Sequence, residues 1–139
     1  MSKAKLINLP KVIDKRGNLS FVEECDHVPF KIRRAYWIYD VPGGEARGGH
    51  AYKKNAEFII ALSGSFDVVV DNGLSIETFT LNRSYYGLYV PQGLWREMNN
   101  FSTNSLALIL GSTLYDESDY IYNYQEFKRN IKDEGNDNI

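Results

Sequence analysis

Short apolar runs broken by turn-formers fill the chain from residue 5 to residue 112. The segments 19–23, 34–39, 58–62, 66–70, 75–81, 86–90 and 105–110 are rich in β-branched or aromatic residues, which suit a pleated, half-buried surface. Arg16-Gly17-Asn18, Pro42-Gly43-Gly44, Ser63-Gly64-Ser65, Asp71-Asn72-Gly73 and Pro91-Gln92-Gly93 punctuate them. Many short strands with such breaks predict an antiparallel sandwich or barrel. Asp71-Asn72-Gly73 predicts a hairpin, because Asn-Gly tolerates the positive φ of a primed turn. After Tyr115 the pattern changes. Tyr120, Ile121, Tyr124, Phe127 and Ile131 recur at helical spacing and predict a helix over 116–131, capped by Asp116 or Ser118. The polar tail after it is expected to fray.

With 139 residues and no repeat or linker, a single domain over 1–139 is expected. A hydrophobic share of 43% against 24% charged excludes disorder as the main state. A net charge of −2 leaves no basic excess for a nucleic-acid polymer, although a local patch suffices for a nucleotide-sized ligand. The single cysteine, Cys25, excludes an internal disulfide and a Cys-based zinc site, and fits a reducing cytoplasm. The N-terminal stretch lacks the apolar core of a signal peptide, and no run is long enough to span a membrane. The expectation is a soluble cytoplasmic protein without membrane contact. An exposed edge strand invites pairing with another chain, so a homodimer is expected, by sheet pairing or exchange of N-terminal strands.

The densest chemistry lies in Arg47-Gly48-Gly49-His50-Ala51-Tyr52-Lys53-Lys54. If this stretch is extended, His50, Tyr52 and Lys54 share one face. Arg47, Tyr52 and Lys53 add donors for an anionic ligand. In the stretch from Tyr89 to Met98, Trp95 and Glu97 share a face and Arg96 takes the other. Arg34 and Tyr36 alternate with Trp37 in the same way, and Asp14-Lys15-Arg16-Gly17-Asn18 reads as a charged turn. The two histidines, His27 and His50, form no His-x-His pair, so no metal and no cofactor are expected. P-loop, dinucleotide and nucleophile-elbow motifs are absent.

In this order and spacing, several stretches together resemble the cupin-fold sugar nucleotide 3,4-ketoisomerases that act on dTDP-4-keto-6-deoxyglucose. They are Asp14 to Leu19, Ile32 to Ile38, Arg47 to Lys54, Leu62 to Ser65, Gly87 to Val90, Leu94 to Met98 and, most distinctive, Tyr115-Asp116-Glu117-Ser118-Asp119-Tyr120-Ile121. The resemblance implies an all-β double-stranded β-helix (a jelly roll) with a short C-terminal helix, a dimer with exchanged N-terminal strands, and no catalytic metal. It implies migration of the ketone from C4 to C3, feeding 3-amino-3,6-dideoxy sugars of bacterial surface glycans such as O-antigen lipopolysaccharide. His50 matches the first histidine of the family's H-x-H, Tyr36 matches a pocket tyrosine, and Tyr52 stands where the family usually has a second histidine. Arg96 is similar to the gluco-product branch and Arg16 to the galacto-product branch, so the configuration at C4 stays open.

On this reading His50 is the acid–base residue, with Tyr52 in reserve. Tyr36, Tyr52 and Arg96 serve the oxygens where charge develops. Arg47 and Lys53 take the diphosphate with help from Arg16, while Trp95 and Tyr86 pack on sugar or thymine. Arg34 and Glu97 complete the substrate-binding candidates. Two alternatives remain: a non-catalytic sugar-nucleotide-binding cupin and a related 3,5-epimerase.

Overall fold

A computed structural model describes residues 3–137. Its strands are β1 (Lys5–Asn8), β2 (Lys11–Val12), β3 (Leu19–Ser20), β4 (Arg34–Ile38), β5 (Arg47–Tyr52), β6 (Glu57–Ser63) and β7 (Phe66–Asp71). They continue as β8 (Ile76–Leu81), β9 (Tyr86–Val90), β10 (Trp95–Asn99), β11 (Leu106–Gly111) and β12 (Tyr120–Ile121), before helix α1 (Tyr124–Asp137). One sheet has the order β1-β9-β6-β11-β4, the other β12-β5-β10-β7-β8, and β2 pairs only with β3. All ladders are antiparallel. This is the double-stranded β-helix that the resemblance implies. No described helix is long and apolar enough to cross a membrane.

Side chains alternate between faces with the period of two that strands impose. Ile59, Ala61, Val68, Val70, Leu88, Val90, Met98, Ala107 and Ile109 meet in a cluster between the sheets. The intervening positions Phe58, Ile60 and Leu110 face outward, where Leu9, Val28, Phe30 and Ile32 of the N-terminal segment cover them. On the other sheet, Ala51, Trp95 and Ile121 are covered by Phe127 of α1. Burying Phe127 alone is worth about 2 kcal/mol, so each sheet has its own apolar cover.

The predicted helix starts too early. Glu117–Asp119 forms one 3-10 turn, and Tyr120–Ile121 pairs as a strand with Tyr52 and Ala51. Asp116 Oδ1 accepts from the Ser118 amide (3.0 Å) and caps only that turn. The edge of β5 offers ladder partners here, and pairing overrides local periodicity. Helix α1 begins after Asn123, whose Oδ1 accepts from the Glu126 amide (3.0 Å). The tail expected to fray is helical as far as Asp137, and Asn138 and Ile139 lie outside the described residues. The β7–β8 hairpin forms, but its last pair is Asp71 with Ile76. The turn is therefore longer than a two-residue primed one. Asn72 Oδ1 closes it, accepting from the amides of Leu74 and Ser75 (both 2.8 Å).

Candidate active site

At one end of the barrel the inward positions turn polar. Alternation sends Arg34 and Tyr36 of β4, His50 and Tyr52 of β5, Glu57 of β6 and Arg96 of β10 to the same side as the apolar cluster. There all of them but Glu57, which lies behind the others, line a cavity of about 620 Å³ together with Arg47, Gly48, Tyr115, Tyr120 and Tyr122. That volume suits a small organic ligand.

Glu57 organises the floor of the cavity. Its Oε1 accepts from Arg96 Nε (2.9 Å), and its Oε2 accepts from the hydroxyls of Tyr36 and Tyr52 (3.1 Å for Tyr52). Arg96 Nη2 also donates to the Tyr36 hydroxyl (2.9 Å). Burial, with Glu57 adding to it, pushes the Tyr36 and Tyr52 phenols well above the usual tyrosine range, so both stay protonated. Burial works against the charge on Arg96, yet Glu57, Tyr36 and Tyr52 outweigh it and hold the guanidinium protonated.

His50 sits directly across the ladder from Arg96. Between that pair and the next, Met98 with Arg47, β5 carries an extra residue, a β-bulge containing Gly48 at φ +80°. A side chain at Gly48 would place its Cβ 2.3 Å from Arg96 Nη1. The glycine thus gives Arg96 its seat beside His50. The imidazole packs against Tyr52, Tyr120 and Tyr122, with ring centroids 4.7, 5.2 and 6.2 Å away. Its Nε2 is buried without a hydrogen-bond partner. Burial first, then the charges of Arg96 and Arg34, lower its pKa to about 3. The ring is therefore neutral at pH 7, the form a general base requires.

The distinctive stretch Tyr115–Ile121 shapes this end of the barrel. Asp119 binds the amides of Lys54 (2.7 Å) and Asn55 (3.1 Å), fixing the β5–β6 connection. Tyr115 and Tyr120 face the cavity while Ile121 faces α1. Tyr120 and Tyr122 stack at 5.3 Å and 14°, giving an aromatic wall.

The structure brings Arg34, Tyr36, Arg47, His50, Tyr52 and Arg96 together. It places Trp95 and Glu97 on the opposite face of β10, where Trp95 packs on Tyr124 and Phe127 and donates to Glu97 Oε1 (3.2 Å). This corrects their assignment to the substrate site, because one strand cannot aim neighbouring residues into one cavity. Tyr86 is also outside the cavity, its hydroxyl donating to Asn82 Oδ1 (2.6 Å). Lys53 is exposed beyond the end of β5, and Lys54 lies past the strand, so it does not share the face of His50 and Tyr52. Arg16 is exposed and paired with Asp14 (2.9 Å), away from this chain's own cavity. Sequence reasoning missed Glu57, Tyr115, Tyr120 and Tyr122. A carboxylate in register with inward Ile59 and Ala61 was the available signal for Glu57. Among the described residues no three His, Cys, Asp or Glu side chains cluster as metal ligands would.

Comparison with known proteins adds a second line of observation. The family model described as FdtA: WxcM-like, C-terminal, matches residues 2–132. A TDP-4-oxo-6-deoxy-alpha-D-glucose-3,4-oxoisomerase from Aneurinibacillus thermoaerophilus is 44% identical over 127 residues, covering 91% of each chain. Among solved structures, the WlaRB TDP-quinovose 3,4-ketoisomerase from Campylobacter jejuni is 41% identical, with a TM-score of 0.88 over 93% of this chain and 99% of that one. A variant of the 3,4-ketoisomerase QdtA from Thermoanaerobacterium thermosaccharolyticum, in complex with TDP-4-keto-6-deoxyglucose, is 33% identical, with a TM-score of 0.92 over 96% of each chain.

Proposed function

This chain belongs to the FdtA, WxcM-like C-terminal family, and from that premise we propose that it is a sugar nucleotide 3,4-ketoisomerase. It converts TDP-4-keto-6-deoxyglucose into a TDP-3-keto-6-deoxyhexose. One observation carries the reading: a neutral, unpartnered imidazole, His50, faces a cavity between the guanidinium groups of Arg34 and Arg96 and protonated phenols. Moving a ketone to the neighbouring carbon needs a base at C3–H and donors at the two oxygens. His50 takes the proton from C3, exchanges it with solvent and delivers a proton at C4. Tyr36 gives its one hydroxyl proton to Glu57 and accepts from Arg96, so it fixes the floor beneath the sugar. Tyr52 acts through Glu57 and Tyr120, to which its hydroxyl is already committed, and does not replace a second histidine as base. Arg47 at the cavity mouth meets the diphosphate, and the wall of Tyr115, Tyr120 and Tyr122 meets sugar or thymine. The products serve amino-sugar assembly for surface glycans.

The reading includes a homodimer. Strand β4 ends its sheet with an unpaired edge, and its outward Trp37 and the neighbouring Tyr39 are 59% and 63% exposed. Val12, Ile13 and Leu19 are exposed on and beside the β2–β3 pair. In the single chain β1 lies along β9, the slot an exchanged strand would take. Exchange carries Arg16 toward the partner's cavity.

The test is incubation with TDP-4-keto-6-deoxyglucose in D2O, read by carbon-13 NMR. The expected result is a carbonyl at C3 and deuterium at C4, both lost in His50→Asn while TDP still binds. Binding without exchange would make the chain a non-catalytic sugar-nucleotide cupin. Exchange at C3 or C5 with the carbonyl still at C4 would make it an epimerase.

A further inference from the structure

Arg34 and Arg96 of the cavity differ in how their donors are used. Arg96 directs its guanidinium to Glu57 and Tyr36. Arg34 has Nε, Nη1 and Nη2 all buried and hydrogen-bonded to nothing among the described residues. An unpaired buried charge is expensive. Three ring faces recover part of that cost: the centroids of Tyr36, Tyr52 and Tyr115 lie 5.8, 5.7 and 5.8 Å from its Cζ. Gly111 clears the other side, since a Cβ there would sit 3.1 Å from Arg34 Nε and Cγ. A neutral oxygen arriving through the cavity offsets part of that cost by accepting a hydrogen bond, and an anionic oxygen offsets more.

Two sources of anionic oxygen exist on the proposed substrate, the diphosphate and the sugar oxygen that becomes charged during the reaction. Arg47 lines the same cavity but is exposed, which suits a diphosphate that stays partly hydrated. The donor nitrogens of Arg34 are buried while the residue as a whole is half-buried, and it is close enough to His50 for its charge to oppose protonation of the imidazole. A fixed donor is worth most where water is excluded and where charge appears only in the transition state.

We propose that Arg34 is a catalytic residue that donates to the sugar oxygen carrying the enediolate charge, and is not a diphosphate ligand. The inference rests on the ketoisomerase reading above. His50 removes the C3 proton; the C3–H electron pair becomes the C3=C4 bond, and the C4 carbonyl π pair moves onto O4. The proton on O3 passes to O4, and the charge moves to O3. As the O3 pair closes the C3 carbonyl, the C3=C4 pair takes a solvent-exchanged proton from His50 at C4. The net change is C3–OH and C4=O into C3=O and C4–OH, with no outside reagent. Arg34 meets the negative oxygen in the middle of this sequence, and its forked donors suit adjacent O3 and O4.

The test separates the two sources of anion. Arg34→Met is compared with wild type for turnover of TDP-4-keto-6-deoxyglucose, for binding of TDP alone and for melting temperature. The expected result is a fall in kcat on the order of a hundredfold with TDP affinity unchanged. Arg34→Lys recovers part of the rate and carries the same comparison if the methionine variant does not fold. Loss of TDP affinity in step with activity would make Arg34 a diphosphate ligand and overturn the proposal. Retained kcat would overturn it as well. If the wild-type chain itself fails to move the carbonyl, the ketoisomerase reading falls first and this inference with it.

Discussion

The carboxylate of Glu57 and the guanidinium of Arg96 form an ion pair at 2.8 Å, with the two side chains 1% and 2% exposed. Both charges have left water, and each is the compensating charge of the other. Removing one partner strands the other. Glu57→Leu and Arg96→Met are each expected to lose about 3–5 kcal/mol of stability. The double variant should lose less than the sum of the two, because the stranded charge is gone. Urea denaturation of the four proteins checks this. Additive losses would show that the pair is not coupled.

Stability should also depend on pH through His50. In the unfolded chain its pKa is about 6.5; in the folded chain it is lowered to about 3, by burial first and then by Arg96 and Arg34. Between those values the unfolded state binds the extra proton, so stability rises with pH in that window. The contribution is complete above about pH 6.5 and is lost as the pH falls toward 3. The urea midpoint of wild type should therefore drop between pH 7 and pH 4.5 by more than that of His50→Asn, which has no proton to gain. Equal drops in the two proteins would contradict the lowered pKa.

Exposed Trp37 bears on assembly. If the β4 edge and its outward aromatics pack against a second copy, wild type sediments as a dimer. Trp37→Lys, which adds a charge where an apolar face is expected, should shift it toward monomer without changing the melting temperature of the isolated chain. Sedimentation equilibrium measures the association, and thermal unfolding followed by circular dichroism measures the melting temperature. A wild-type chain that is monomeric at micromolar concentration would remove the dimer from the proposed function.

Much of the barrel was readable because a strand's period is local. The segments 34–39, 58–62, 66–70 and 86–90 became strands within a residue or two of their expected ends. The same alternation already separated Arg96 from Trp95 and Glu97. It does not tell which face is the inside, so alternation alone leaves Trp95 and Glu97 as eligible for the substrate as Arg96. That choice depended on where α1 docks, since Phe127 and Tyr124 claim Trp95.

Residues 116–121 show the limit from the other side. Their spacing was helical, but the open edge of β5 drew Tyr120 and Ile121 into a ladder and turned Tyr120 to the cavity. No window of neighbouring residues contains that information.

The strand-rich architecture, the position of His50 on an extended segment and the family resemblance follow from the order of residues alone, because alternation, turn residues and motif spacing are written over a few positions each. That Glu57 anchors Arg96 and Tyr36, that Arg34 is left with buried, unspent donors, and that tyrosines from the 115–122 segment wall the cavity emerge with the folded barrel. These partners are far apart along the chain, and what joins them is the closure of two sheets, which excludes water and makes each unpaired charge count.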